Sequence, residues 1–242
     1  MSLVIPSITG GGNSSFQVPD FGTGDFEQIK EAITLAREGK INIYKHWKVG
    51  DTRTVVWDTN LYDLVLLNKG GYNYADLDGE CLFVVGFKQV LFSSTLDSGR
   101  YESTSLCANI NDRIDSRWET TEQWGDIFPE FTFYLWPFGQ GDLVDPYELR
   151  CKYTLPDIGN IDYEANKGYP DTKSSYFPFF EYYWNPDNRK IIGSTGDAVE
   201  YWTSSRNHAV AAQVQYKSVN ANGEESAKIN TTSLGVSPIM VI

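Results

Sequence analysis

The sequence predicts an α+β domain with two short helices, twisted antiparallel strands and long loops, preceded by an extended N-terminal arm. Three observations carry this. Apolar residues recur at helical spacing over residues 25–38 and 103–117. Runs of strand length, bounded by turn residues, fill much of the remainder. Residues 1–24 place Gly10-Gly11-Gly12 among serines and prolines and follow neither period, so the domain is expected over 25–242 behind an arm over 1–24.

The first helix begins at Asp25, where Asp25-x-x-Gln28 resembles a capping box; Phe26, Ile29, Ile33 and Ala36 share one face and Gly39 stands where a terminating glycine would. From Tyr44 to Trp57, a Gly50-Asp51 turn between β-favouring residues predicts a hairpin. Leu61 to Leu67 alternates weakly, and Cys81 to Phe87 is a continuous apolar run, which predicts a central buried strand. Leu106, Ile110 and Ile114 predict the second helix, with Ser103 as its N-cap. Residues 118–137 are aromatic and irregular, 149–155 fit a strand, and 157–200 read as a long loop packed by its own side chains. The closing stretch, from Tyr201-Trp202-Thr203-Ser204-Ser205 through Ala211 to Tyr216 and a turn at Asn220 to Gly223, reads as strands whose last residues enter the core.

A net charge of -12 without clustered Lys and Arg argues against a phosphate-binding surface, so nucleic acid is not an expected partner. No run has the length of a membrane span, and Met1-Ser2-Leu3-Val4-Ile5-Pro6 lacks the pattern of a signal peptide; assembly in the cytoplasm without membrane insertion is expected. Cys81, Cys107 and Cys151 are widely spaced and form no Cys-x-x-Cys pair, which predicts buried free thiols.

Catalytic chemistry finds little support. The two histidines, His46 and His208, lie in no recognisable nucleophile arrangement. Asp76-Leu77-Asp78-Gly79-Glu80 lacks the further ligands of a calcium loop and reads as an acidic turn, and no Gly-Lys-Ser/Thr follows the glycine triplet. A carboxylate pair for glycan hydrolysis depends on a spatial separation that sequence does not give. Trp184-Asn185-Pro186-Asp187-Asn188 sets amide and carboxylate oxygens beside an aromatic face, which suits sugar hydroxyls or a hard cation and equally suits a plain turn.

The Tyr201-Trp202-Thr203-Ser204-Ser205 strand and the closing Gly235-Val236-Ser237-Pro238 resemble the C-terminal half of C-type-lectin-like domains found in bacteriophage and gut-bacterial proteins. Ala212 to Tyr216 and Gly223 fill the middle places of that pattern, while Ser237 stands where arginine is usual. Trp47-Lys48-Val49-Gly50-Asp51-Thr52, Val84-Val85-Gly86-Phe87 and Tyr101-Glu102-Ser103 are similar to an uncharacterised domain of phage virion proteins, in the same order.

The resemblance implies a non-enzymatic virion component: a fibre, decoration or receptor-binding protein. The competing readings are a bacterial glycan-binding adhesin or lectin and a carboxylate-dependent glycan hydrolase. Ligand contacts are implied at Arg206, Asn207, His208, Gln213, Gln215 and Tyr216, and Trp184, Asn185 and Asp187 join them as candidates. The calcium tripeptides and paired disulfides of animal lectins are not matched, so no cofactor or metal is expected, calcium being the one ion left open. The expected partners are other virion proteins held through the arm, a host-surface glycan or protein, and further copies of the chain, a trimer being common among fibres.

Overall fold

The computed structural model describes residues 16–98, 100–119, 121–135, 147–161, 186–207 and 214–242. Residues 1–15, most of the expected arm, lie outside the described residues. Residues 16–24 belong to the domain: Phe21 is buried, Trp47 Nε1 donates to Pro19 O at 2.8 Å and Arg53 Nη1 donates to Gly24 O at 2.7 Å. The domain boundary therefore lies before 25.

Helix α1 (Phe26–Arg37) forms where its caps predict. Asp25 Oδ1 accepts from the Glu27 and Gln28 amides, satisfying two of the donors that a helix start leaves open. At the other end Gly39, at φ 70°, donates to Ala36 O while Lys40 N donates to Leu35 O, the paired bonds of a Schellman stop. Phe26, Ile29, Ala32, Ile33 and Ala36 face the core.

Strands β1 (Thr52–Trp57) and β2 (Asn60–Lys69) make the first hairpin, which is displaced from the expected one. Gly50-Asp51 does turn the chain, with Asp51 N donating to Lys48 O, but it leads out of a 3-10 turn over Ile43–Lys45. The hairpin bends at Asp58 and Thr59, at φ 48° and 66°. Two successive positive φ values match the right-handed strand twist, as in a type I′ turn.

Strand β3 (Phe83–Phe87) is buried along its whole length, as the apolar run predicts. After β4 (Phe92–Ser94) comes α2 (Ser105–Asp115), capped by Thr104 and not Ser103. Thr104 Oγ1 accepts from Cys107 N at 3.0 Å, and Ser103 ends the preceding 3-10 turn. The Asp97 carboxylate also binds the Ser105 amide and hydroxyl, which holds its pKa below the usual range.

The aromatic stretch hides a second hairpin, β5 (Phe131–Leu135) with β6 (Tyr147–Cys151). The short α3 (Ile158–Ile161) follows. Strands β7 (Ile191–Ile192), β8 (Ala198–Val199), β9 (Tyr201–Asn207), β10 (Gln215–Val219), β11 (Glu225–Ile229), β12 (Leu234–Val236) and β13 (Ile239–Val241) complete the described chain.

The elements form a four-stranded sheet in the order β1-β2-β3-β13 and a five-stranded sheet in the order β11-β10-β9-β12-β4. Within these two sheets pairing is antiparallel except where Gly235 of β12 meets Tyr201 of β9, and the isolated bridge of Gln89 with Ile192 is also parallel. The architecture is thus mixed α+β. The last residues cross from one sheet to the other: β12 pairs with β4, then β13 pairs with β3, and Ile242 is buried.

Gly235 sits at this crossing. A Cβ there would lie 2.5 Å from Val90 Cγ2 and 3.1 Å from Glu200 O. Gly235→Ala is expected to destabilise the fold by about 1–3 kcal/mol through overpacking, measured by urea unfolding.

Candidate functional site

Between the two sheets lies a cleft of about 400 Å³. Its lining joins three stretches singled out by sequence: Asp187 and Asn188 of the Asn-Pro-Asp-Asn turn, Tyr201 of the Tyr-Trp strand, and Ser237-Pro238 of the closing motif. Val65 and Leu67 of β2, Phe87 of β3 and Ile239 of β13 supply an apolar floor, and Lys88 and Lys190 supply charge.

The walls are held by backbone pairing. Ile192 N donates to Lys88 O at 3.0 Å and Val90 N donates to Ile192 O at 2.9 Å, which docks β7 beside the end of β3. Ser237 Oγ donates to Phe87 O at 3.0 Å, so a small hydroxyl closes the junction of β3 and β13. Tyr201 OH donates to Arg189 O at 3.0 Å, and burial raises its pKa above the usual phenol value. A preformed cleft on paired strands suits binding, because little ordering entropy remains to oppose it.

Thr203 and Ser205 of the Tyr-Trp strand serve the framework, while the buried Ser204 hydroxyl has no hydrogen-bond partner among the described residues. Ser205 Oγ donates to Asp157 Oδ2 at 2.7 Å and accepts from Ile158 N at 2.9 Å. Asn160 Oδ1 accepts from Asp157 N, and Asn160 Nδ2 donates to Tyr72 OH at 2.9 Å. Burial drives the Tyr72 pKa well up, and the Asn160 hydrogen bond partly opposes the shift. Thr203 Oγ1 donates to Lys217 O, binding β9 to β10.

The predicted ligand contacts divide. Asp187 is exposed at the cleft and forms an ion pair with Lys190. Gln215 is half-buried on β10, opposite Asn207 of β9 and Ile229 of β11. Arg206 and Asn207 end β9, opposite Tyr216 and Gln215. Trp184, Asn185, His208 and Gln213 lie outside the described residues.

Tyr216 is placed inside the fold and not on the expected outer face. It has no exposed surface, its hydroxyl donates to Ser98 O at 3.0 Å, and its ring meets Trp202 edge-on at 6.3 Å. Alternation in Val214-Gln215-Tyr216 carries the sign, since residues two apart share a face. Lys88 and Lys190 were not anticipated. Their sequence signal is a cation directly beside an apolar pair or run, in Gly86-Phe87-Lys88 and Lys190-Ile191-Ile192.

Among the described residues no group of three His, Cys, Asp or Glu side chains is placed to hold a metal. The acidic turn at Asp76 to Glu80 is tied down: Asp76 pairs with Arg150, and Glu80 accepts from Gly71 N. No described helix is long and apolar enough to cross a membrane.

The three cysteines are free thiols; Cys81 and Cys151 are buried and Cys107 is half-buried. Burial pushes the Cys81 thiol up to about 12 and the Cys107 thiol up to about 11, and drives Cys151 well above its ordinary value. The thiolate is the reactive form. Native protein at pH 8 is expected to react slowly with a disulfide reagent at all three positions, and promptly at all three once unfolded in denaturant.

Compared with protein-family models, with curated proteins and with solved structures, the chain finds no match.

Proposed function

We propose that the chain is a non-enzymatic virion structural protein of a bacteriophage, built on a C-type-lectin-like domain and binding a partner through the inter-sheet cleft and the loops that flank it. One observation carries the reading: the cleft is lined by the opening residue of the Tyr-Trp motif, by Ser237-Pro238 of the closing motif and by Asp187 and Asn188 together. The Tyr201-Trp202 strand β9 lies between β10, which carries Tyr216, and β12, which carries Gly235-Val236, so the motif strands are neighbours in one sheet. Residues 16–24 are part of the domain, so the proposed particle-anchoring arm is residues 1–15.

Immunogold electron microscopy on purified particles tests the assignment. Regular labelling of the particle is expected, with labelling lost when residues 1–15 are deleted from a protein that still folds. Recovery of the protein only apart from particles, as a secreted adhesin, would overturn the virion reading. Glycan turnover abolished by a single carboxylate substitution would replace binding with catalysis.

A further inference from the structure

We infer that the inter-sheet cleft takes a small amphipathic carboxylate, a free aliphatic acid, with its charged head on Lys88 and its apolar body along Val65, Leu67 and Ile239. The inference rests on reading the cleft as the binding site, and it names the ligand.

Charge is the first reason. Two lysines and one aspartate line the cleft. Lys190 is ion-paired with Asp187, whereas the Lys88 ammonium has no ion-pair partner among the described residues. In a chain with 32 acidic and 20 basic residues, a half-buried lysine left unmatched beside apolar walls is a site for an external anion.

Position is the second. Lys88 follows β3 directly, and its peptide is held on both sides: its N–H donates to Asp63 O at 2.9 Å and its carbonyl accepts from Ile192 N at 3.0 Å. The side chain therefore leaves from a fixed backbone, so less freedom is lost when it grips a ligand.

The floor selects the rest of the molecule. Val65, Leu67, Phe87, Pro156, Pro238 and Ile239 offer aliphatic and ring carbon, which matches a carbon-rich body, while Lys88, Asp187, Asn188, Lys190 and Ser237 supply the polar part of the lining. At about 400 Å³ the cleft sits at the small end of ligand sites, which run from roughly 300 to 1,000 Å³.

Isothermal titration of the full chain with octanoate tests this, using butanoate, octanol and a short peptide ending in a leucine carboxylate as comparators. Octanoate is expected to bind more tightly than butanoate, because of the apolar floor, and at least about tenfold more tightly than octanol, because of the charge. Lys88→Met keeps most of the aliphatic stem and is expected to weaken octanoate by about tenfold or more. Lys40→Met, on a lysine outside the cleft, is expected to leave binding unchanged.

Absence of octanoate binding by protein with a normal unfolding midpoint overturns the inference. So does equal binding of octanol, retained affinity in Lys88→Met, or a peptide that binds more tightly than octanoate. The titration uses isolated protein, so it is independent of where the protein resides. Octanoate binding without particle labelling would sink the virion assignment alone, and particle labelling without octanoate binding would sink the ligand alone.

Discussion

Trp202→Ala is expected to lower stability by about 3–5 kcal/mol, the range for removing a fully buried tryptophan side chain. Three features of the site place it there. Trp202 has no exposed surface, its ring meets Tyr216 edge-on with centroids 6.3 Å apart, and its Nε1 donates to Ser94 O at 2.8 Å. That hydrogen bond joins β9 to the end of β4, two strands of one sheet that do not pair directly but lie on either side of β12.

Alanine therefore opens a cavity at the centre of the five-stranded sheet and leaves a carbonyl without its donor. Trp202→Phe separates the two effects, because it refills much of the space and still strands Ser94 O, at a cost of about 1–3 kcal/mol. Urea unfolding measures both, as a lower midpoint with an unchanged slope. A loss below that of Trp202→Phe for the alanine variant would mean that the second sheet does not depend on this residue.

Helices α1 and α2 and the central strand are legible in the sequence because their signals are local. Asp25 and Gly39 mark the ends of α1, Leu106, Ile110 and Ile114 mark the buried face of α2, and the apolar run at Cys81 to Phe87 contains β3. The first hairpin is not legible in this way, because its turn places the non-glycine residues Asp58 and Thr59 at positive φ while the more typical Gly50-Asp51 bends the chain elsewhere. The β5–β6 hairpin is masked by aromatic residues on both sides of its alternation at Phe131-Thr132-Phe133.

The candidate site was half visible. Turn chemistry points to Asp187, whereas Tyr201 and Ser237 enter the sequence reading only as motif residues and not as ligand contacts, and nothing in one dimension brings the three to a common cleft. The isolation of Lys88 depends on which acids are already paired, and that is a property of the folded surface. Tyr216 shows the opposite limit: motif position suggested a ligand contact, and strand alternation, the more physical signal, assigns it to the core.

Arg53→Ala is expected to lower stability by about 3 kcal/mol, the scale of charge-assisted hydrogen bonds lost with their carbonyls left buried. Arg53 is 7% exposed and holds the chain ahead of α1 in place. Its Nη1 donates to Gly24 O at 2.7 Å and to Phe21 O at 3.3 Å, its guanidinium lies 5.0 Å from the centre of the Trp124 ring, and its Nη2 is 3.7 Å from Glu122 Oε1. Its Nε has no hydrogen-bond partner among the described residues, so burying the cation carries an uncompensated cost, which keeps the net loss below the sum of its contacts.

The structural consequence is local. Phe21 meets Trp47 and Trp124 at 5.2 and 6.5 Å, and without the Arg53 clamp the backbone that presents Phe21 keeps the Trp47 indole on Pro19 O, while its other hydrogen bonds, Gly24 to Asp20 O and Thr23 to Asp20 Oδ1, lie within the segment itself. Hydrogen exchange is therefore expected to rise first over residues 16–24, ahead of α1 and the sheets. Arg53→Met restores the aliphatic packing on Trp124 but not the two carbonyl partners, so it is expected to recover part of the stability and little of the protection. Equal protection of residues 16–24 in all three proteins would return that segment to the arm and restore the domain boundary at 25.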